Sequence, residues 1–380
     1  MNKLEISEIK KQFHIDRYTI DNICICYVGN EKEKKFLTRD AFGSLPEEEM
    51  HKYFKFFKKA LSGTVGKNLI NLDFPLSEEN GDKQGLLLEL RDSRLDDDDT
   101  LDQFYDRIIS NYDSPEKYCI ITVHAVYDVP GKSKGRETMD DASDDVYDFI
   151  MTLISPVELR DGELGYDPEN NRIGELSREW VLHDPDRAFL FPAFNDRTAD
   201  IHSVLYYTKK SEELQPDFIN FMFGADAPLS AGDQKDTFNM LVSSVCADEG
   251  DVEVMKNIHD SLSDIIEENK DDPEPVVIGK NEVKKILTDS GVTEEKLQNF
   301  DKHYDDIAGD DAEIVISNLQ GIKNFKISTP DIDIRVKPDF VDRIEARIVD
   351  GRQCIVIAVD DHVEVNGVNV RTLVPKERHT

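Results

Sequence analysis

What this chain has least of is positive charge. Its 380 residues carry 46 Lys and Arg against 79 Asp and Glu, a formal net charge of -33. A field of that sign repels phosphate backbones and anionic membrane surfaces at long range. Any nucleic-acid contact must then come from a local basic patch and must weaken with salt. Long apolar runs are missing as well, which excludes a membrane-spanning helix. The opening MNKLEISEIKKQF has the spacing of an amphipathic helix, not the order of a secretory signal. Cysteine is scarce and odd in number: Cys24, Cys26, Cys119, Cys246 and Cys354. Cys24 and Cys26 share a strand face, yet no second close pair completes a thiolate metal site. Scattered thiols inside apolar runs fit a reducing compartment, so a cytoplasmic protein is expected. Catalytic signatures are absent too. In LSGTVGKNL the glycine spacing and Asn68 break the phosphate-loop pattern around Gly66-Lys67. There is no nucleophile elbow, zinc HExxH or dinucleotide fingerprint. No cofactor is expected, and the balance leans away from an enzyme.

What is present is an ordinary globular content, 39% hydrophobic and 8% aromatic, on a chain long enough for two or three domains. Leu4, Ile6, Ile9 and Phe13 mark a first helix. Tyr18–Val28 and Lys35–Leu37 read as extended around Gly29-Asn30. Ser44-Leu45-Pro46-Glu47 suits a capping box opening a helix with Met50, Phe54, Phe57 and Leu61 on one face. The acid cluster Asp96–Asp99 suits the start of a helix carrying Leu101, Phe104, Tyr105, Ile108 and Ile109. Tyr118–Val129 is the clearest strand, with His124 expected as a hydrogen-bonded core residue. After residue 216 the period turns helical: Phe238, Leu241, Val242 and Val245, then Met255, Ile258, Leu262 and Ile265. Pro273 and Pro275 mark a linker. Glu282–Asp289 and Thr293–Tyr304 follow as a helical hairpin, too acidic to read DNA. From Phe325 the period falls to two, with hairpin turns at Asp350-Gly351 and Asn366-Gly367.

These readings predict an α+β protein. An N-terminal mixed or antiparallel sheet domain with helices precedes a helical middle segment and a small C-terminal antiparallel β unit. The divisions fall at 1–80, 81–215, 216–310 and 311–380.

The chain is organised around Arg187–Ala231. Two strand-like runs, Ala188–Phe194 and Ser203–Thr208, flank a polar knot of Asn195, Asp196, Arg197, Thr198, Asp200 and His202. Asp196, Asp200 and His202 offer two carboxylates and an imidazole, a set able to hold a divalent metal and activate water; Arg197 could clamp a phosphate. A plain hairpin connection, with Asn195 and Asp196 bonded to their own backbone, accounts for the same residues. The most concentrated positive spot is the loop PGKSKGRET, with Lys132, Lys134 and Arg136, a candidate phosphate contact together with Lys209 and Lys210.

MNKLEISEIKKQF, SLPEEEMHKYFKFFKKALSGTVGKNL, FLFPAFNDRTADIHSVLYY and VDDHVEVNGV together resemble a bacterial domain-of-unknown-function family, number 4317 in that series, over essentially the whole chain. That resemblance implies no activity. A more distant likeness does. LLLELRDSRLDDDDTLDQFYDRII (86–109) is similar to the leucine-rich strand, LRDS-L string and helix of the NdpA-type nucleoid-associated proteins. DFINFMFGADAPLSAGDQKDTFNMLV (217–242) is similar to that family's apolar helix, its LGA-type break and the next helix. The likeness implies a cytoplasmic, nucleoid-associated, dimeric protein that binds DNA or a DNA-processing protein, with no catalytic residues to carry over. Two other readings stand beside it. One is a metal-dependent hydrolase using Asp196, Asp200 and His202. The other is an acidic interaction module that occupies a basic partner's nucleic-acid groove. None involves a membrane.

Overall fold

A computed structural model describes residues 1–79, 81–132, 138–162, 164–167, 171–175, 178–246, 252–309, 312–319, 325–359, 363–365 and 367–370. The chain divides into two compact units, Met1–Asp233 with Pro273–Pro275, and Gln234–Asp272 with Val276–Thr380.

The first unit runs α1 (Lys3–Lys10), β1 (Ile20–Val28), β2 (Lys34–Ala41), α2 (Glu47–Ala60), β3 (Leu69–Asp73), α3 (Asp82–Asp92), α4 (Asp98–Asn111), β4 (Tyr118–Lys132) and β5 (Thr138–Arg160). It continues through β6 (Leu164–Asp167), β7 (Arg172–Glu175), β8 (Glu179–Leu182), β9 (Arg187–Phe191), β10 (Ala193–Asn195), β11 (Thr198–Asp200), β12 (Ser203–Thr208) and α5 (Pro216–Phe223). Eight strands make one antiparallel sheet in the order β2-β1-β4-β5-β9-β12-β3, with β8 also on β5.

Antiparallel sheets commonly leave one face to water and read as alternating apolar and polar residues. This one buries both faces, which is why its central strands read as nearly continuous apolar runs. One face takes Ile120, Ile150, Ile154, Phe189, Phe191, Val204 and Tyr206 against the leucines of α3, Phe104 and Ile108 of α4, and Phe218 and Met222 of α5. The other takes Ile121, Val123, Phe149, Met151, Leu153, Leu190 and Leu205 against Ile6 and Ile9 of α1 and Phe54 and Phe57 of α2. His124 is fully buried in β4, as its strand context predicts. Its Nδ1 lies 3.1 Å from Asp21 Oδ2 and its Nε2 2.6 Å from Asp148 Oδ1, so one ring ties together the side chains of β1, β4 and β5.

Several local expectations are corrected. The leucine-rich run 86–90, a strand in the distant likeness, lies inside helix α3. Its leucines are not branched at Cβ and so lose little rotamer freedom in a helix, and Gln84, Leu86, Leu87 and Leu90 are buried. The expected capping box is not formed: Pro46 stands at the N-cap of α2 with no side-chain cap, and Ser44 Oγ donates to the Ala41 carbonyl at 2.7 Å. Asp97, by contrast, caps α4, accepting from Asp99 N at 3.1 Å as the acid cluster suggested. The run Ala188–Phe194 is two strands, β9 and β10, interrupted at Pro192, which has no backbone N–H to give to a ladder.

The second unit holds most of α6 (Ala231–Val245), then α7 (Val252–Glu268), β13 (Val277–Ile278), α8 (Lys280–Asp289), α9 (Glu294–Leu297), α10 (Phe300–Ile307) and β14 (Ile314–Val315). Its core joins Phe238, Leu241, Ile258, Leu262, Val283, Leu287, Phe300 and Tyr304. The helix expected over Thr293–Tyr304 is broken into α9 and α10 at Gln298-Asn299. Among the described residues the small C-terminal β unit pairs its strands in three separate antiparallel ladders. They pair β15 (Phe325–Ser328) with β16 (Asp333–Val336), β17 (Ile344–Val349) with β18 (Arg352–Ile357), and β19 (Val363–Val365) with β20 (Val368–Val370). At the middle one Asp350 and Gly351 take φ 51° and 76°, the left-handed pair that a two-residue hairpin turn requires.

Candidate functional site

The polar knot is the β10–β11 hairpin, closed by the Asn195–Thr198 pair. Asp196 and Arg197 at its tip both have left-handed backbones, φ 51° and 60°, although neither is glycine. Such a conformation persists only where neighbouring contacts hold it. Here they do. Arg197 grips Glu8 of α1 with two guanidinium nitrogens, Nε at 3.1 Å from Oε2 and Nη2 at 2.8 Å from Oε1, and Nη2 also donates to the Pro130 carbonyl. Tyr127 of β4 donates to the same Glu8 oxygen at 2.9 Å. The pairing raises the arginine's already high proton affinity, and burial with the Glu8 carboxylate pushes the Tyr127 hydroxyl up to about 12. Two-point pairing of this kind fixes geometry as well as charge. Arg197 is thereby engaged inside the fold.

Asp200 accepts from Asn195 Nδ2 at 2.7 Å and from His202 N at 3.0 Å. Partial burial works to raise its carboxyl, but the Asn195 amide, the His202 backbone N–H and the Ser203 hydroxyl outweigh it and hold it below the ordinary 3.8. Asp196 is exposed at the turn. His202 borders a small hollow with Phe74, Pro75, Leu76 and Glu79. Among the described residues no group of three or more His, Cys, Asp or Glu is arranged to hold a metal ion.

Of the other sequence-predicted cations, Lys209 and Lys210 stand apart from this hairpin. Lys132 ends β4, while Lys134 and Arg136 lie outside the described residues. Lys209 and Lys210 follow β12, and Lys210 Nζ pairs with Glu213 at 3.1 Å. The hairpin leads into the start of β12 and the two lysines leave its end, about 20 Å apart along an extended strand of that length.

A denser basic site stands elsewhere, where α1 runs out against the end of α2. Phe13 and Phe57 are buried together with ring centroids 5.2 Å apart, which draws the chain after α1 onto the last turn of α2. That contact places Lys10, Lys11, His14, Arg17 and Lys58 around a concavity of about 440 Å³, with Ser7 and Asp16. Asp16 is turned to His14, 3.4 Å from its Nδ1. Among the described residues Lys10, Lys11, Arg17 and Lys58 have no carboxylate within ion-pair distance. Their charges are felt within the site: partial burial, then repulsion from Lys58 and Lys59, lowers the proton affinity of Lys10. The sequence signal was there in the doublets Lys10-Lys11 and Lys58-Lys59. Nothing local says that they meet, since the two aromatics that join them are far apart in the chain.

The described geometry defines an α+β protein built on a doubly covered antiparallel sheet. The chain matches the family model for Domain of unknown function (DUF4317) over residues 1–368 and belongs to that family. No curated protein matches it.

Proposed function

We propose that this chain is a non-catalytic, nucleoid-associated-like protein that binds DNA, or the DNA held by a processing partner, through phosphate contacts at the seam between α1 and α2. The observation that carries the reading is the set of four carboxylate-free cations, Lys10, Lys11, Arg17 and Lys58, in one concavity of a chain with net charge -33. Uncompensated cations on so acidic a molecule are the local patch that phosphate binding requires. The likeness of residues 217–242 to the NdpA-type proteins supports the same class, and with it a cytoplasmic, nucleoid-associated location and a dimer, whereas the run 86–90, a strand in those proteins and a helix here, adds no support. The hydrolase alternative lacks geometric support, because Asp200 is spent on the hairpin's own hydrogen bonds and Arg197 on Glu8.

A mobility-shift titration against salt tests the reading. Four neutralised phosphates predict a slope of log K on log salt of about -4, since each contributes about -0.9 on duplex DNA. The double variant Lys10→Glu/Lys58→Glu is expected to abolish binding. A wild-type chain that leaves duplex DNA unshifted at low salt would falsify direct DNA contact. The acidic-module reading would then stand, favoured by the overall charge, and it predicts capture by a basic protein instead.

A further inference from the structure

Lys10 differs from its neighbours in the basic seam. Its ammonium donates to Ser62 Oγ, and the Ser62 hydroxyl donates in turn to the Lys58 carbonyl at 2.5 Å. The amine, half-buried in the wall of the concavity, is therefore held in place. Lys11 and Arg17 are exposed around it, and Lys58 is half-buried beside it. An amine made less basic by burial and by neighbouring cations is neutral more often at neutral pH, and only the neutral amine is a nucleophile. The cations that depress it are also what a phosphate needs.

We propose that Lys10 is an acyl-acceptor site, modified by small acyl phosphates whose phosphoryl group docks on Lys11, Arg17 and Lys58. Neutral Nζ attacks the carbonyl carbon and a new N–C bond forms. The bond from that carbon to the phosphoryl oxygen breaks, and inorganic phosphate departs with the electron pair. The surplus proton on nitrogen passes to the departing phosphate or to water. Nothing is oxidised or reduced. The product amide carries no charge, so the seam falls from four free cations to three. Acylation thereby weakens whatever phosphate contact the seam makes; that consequence rests on the DNA-binding reading, whereas the modification itself does not.

The test incubates the full chain with acetyl phosphate and follows each lysine by peptide mass spectrometry. Lys10 is expected to be acetylated several-fold faster than the exposed Lys32 and Lys52. Added inorganic phosphate is expected to slow Lys10 and leave the others unchanged. Acetic anhydride, which has no phosphoryl group to dock, is expected to shrink the preference. Equal rates at Lys10 and the exposed lysines overturn the proposal, and so does an equal preference with the anhydride. For the regulatory consequence, Lys10→Gln is expected to lower the salt slope of DNA binding by about one, and Lys10→Arg to retain it while blocking modification. If the unmodified chain binds no DNA but Lys10 is still selectively acetylated, the DNA reading alone has failed. If DNA binds and Lys10 is not selectively labelled, the acylation proposal alone has failed.

Discussion

Asp200 shows how a residue with catalytic credentials is absorbed by structure. One carboxylate oxygen takes an amide from Asn195 in the hairpin it helps to turn, and the other a backbone N–H from His202 just beyond it. A carboxyl held below the ordinary 3.8 stabilises the fold fully above that pH and loses the contribution as pH falls through its folded value. Asp200→Asn is accordingly expected to cost roughly 1 kcal/mol at neutral pH. The deficit should shrink on acidification below 3.8, read as the difference in urea midpoints. A difference independent of pH would contradict the assignment. The buried thiols are a second instance. Burial pushes Cys24 and Cys26 up to about 11, so they act as small apolar core residues and not as nucleophiles. The sequence offers Asp200 as a metal ligand or as part of a plain hairpin connection, and only the burial of thiols in apolar strands was legible. The pairing of Arg197 with Glu8 was not, because it joins residues at opposite ends of the first unit's chain.

At the scale of elements, strands were easier to read than helices of uniform composition. Ile, Val and Tyr announce β4 whatever surrounds them, whereas the four leucines of α3 suit either state and were decided by packing on α4 and α5. The break after α5 was legible: a nearly all-apolar helix stops at Gly224, which takes φ 71° and satisfies the Asn220 carbonyl through its own N–H at 2.7 Å. A Cβ there would lie 2.6 Å from Glu78 Cγ. Gly224→Ala is therefore expected to lose about 1–2 kcal/mol from the left-handed backbone, with Glu78 pushed aside as well. Chemical denaturation measures it, and a neutral result would show that the cap relaxes freely. The basic seam was the least legible element. Its cations are plain in the sequence, but it is the tilted contact of Phe13 with Phe57 that makes them one site.

For the whole molecule the governing quantity is the excess of 79 acidic over 46 basic side chains. Folding brings those charges together, and the compact state carries the repulsion. Salt shortens the screening length from about 30 Å at 0.01 M to about 8 Å at 0.15 M. The melting temperature is thus expected to rise over that range of sodium chloride, as calorimetry would show. A fall would mean that ion pairs such as Arg197–Glu8 outweigh the general repulsion. Salt should thus act in opposite directions on two properties, firming the fold while loosening any phosphate held in the seam.

The order of strands in the sheet also sets a timetable. β2 lies at one edge and β3 at the other, so the first 73 residues supply both margins of a sheet whose middle has yet to be made. Among the described residues β3 has β12 as its ladder partner, and Leu69 meets Tyr207. At about 5–20 residues per second the ribosome leaves that margin open for on the order of ten seconds. During synthesis β1 and β2 can pair with each other, but β3 waits for β12, and its safekeeping falls to whatever shields emerging polypeptide.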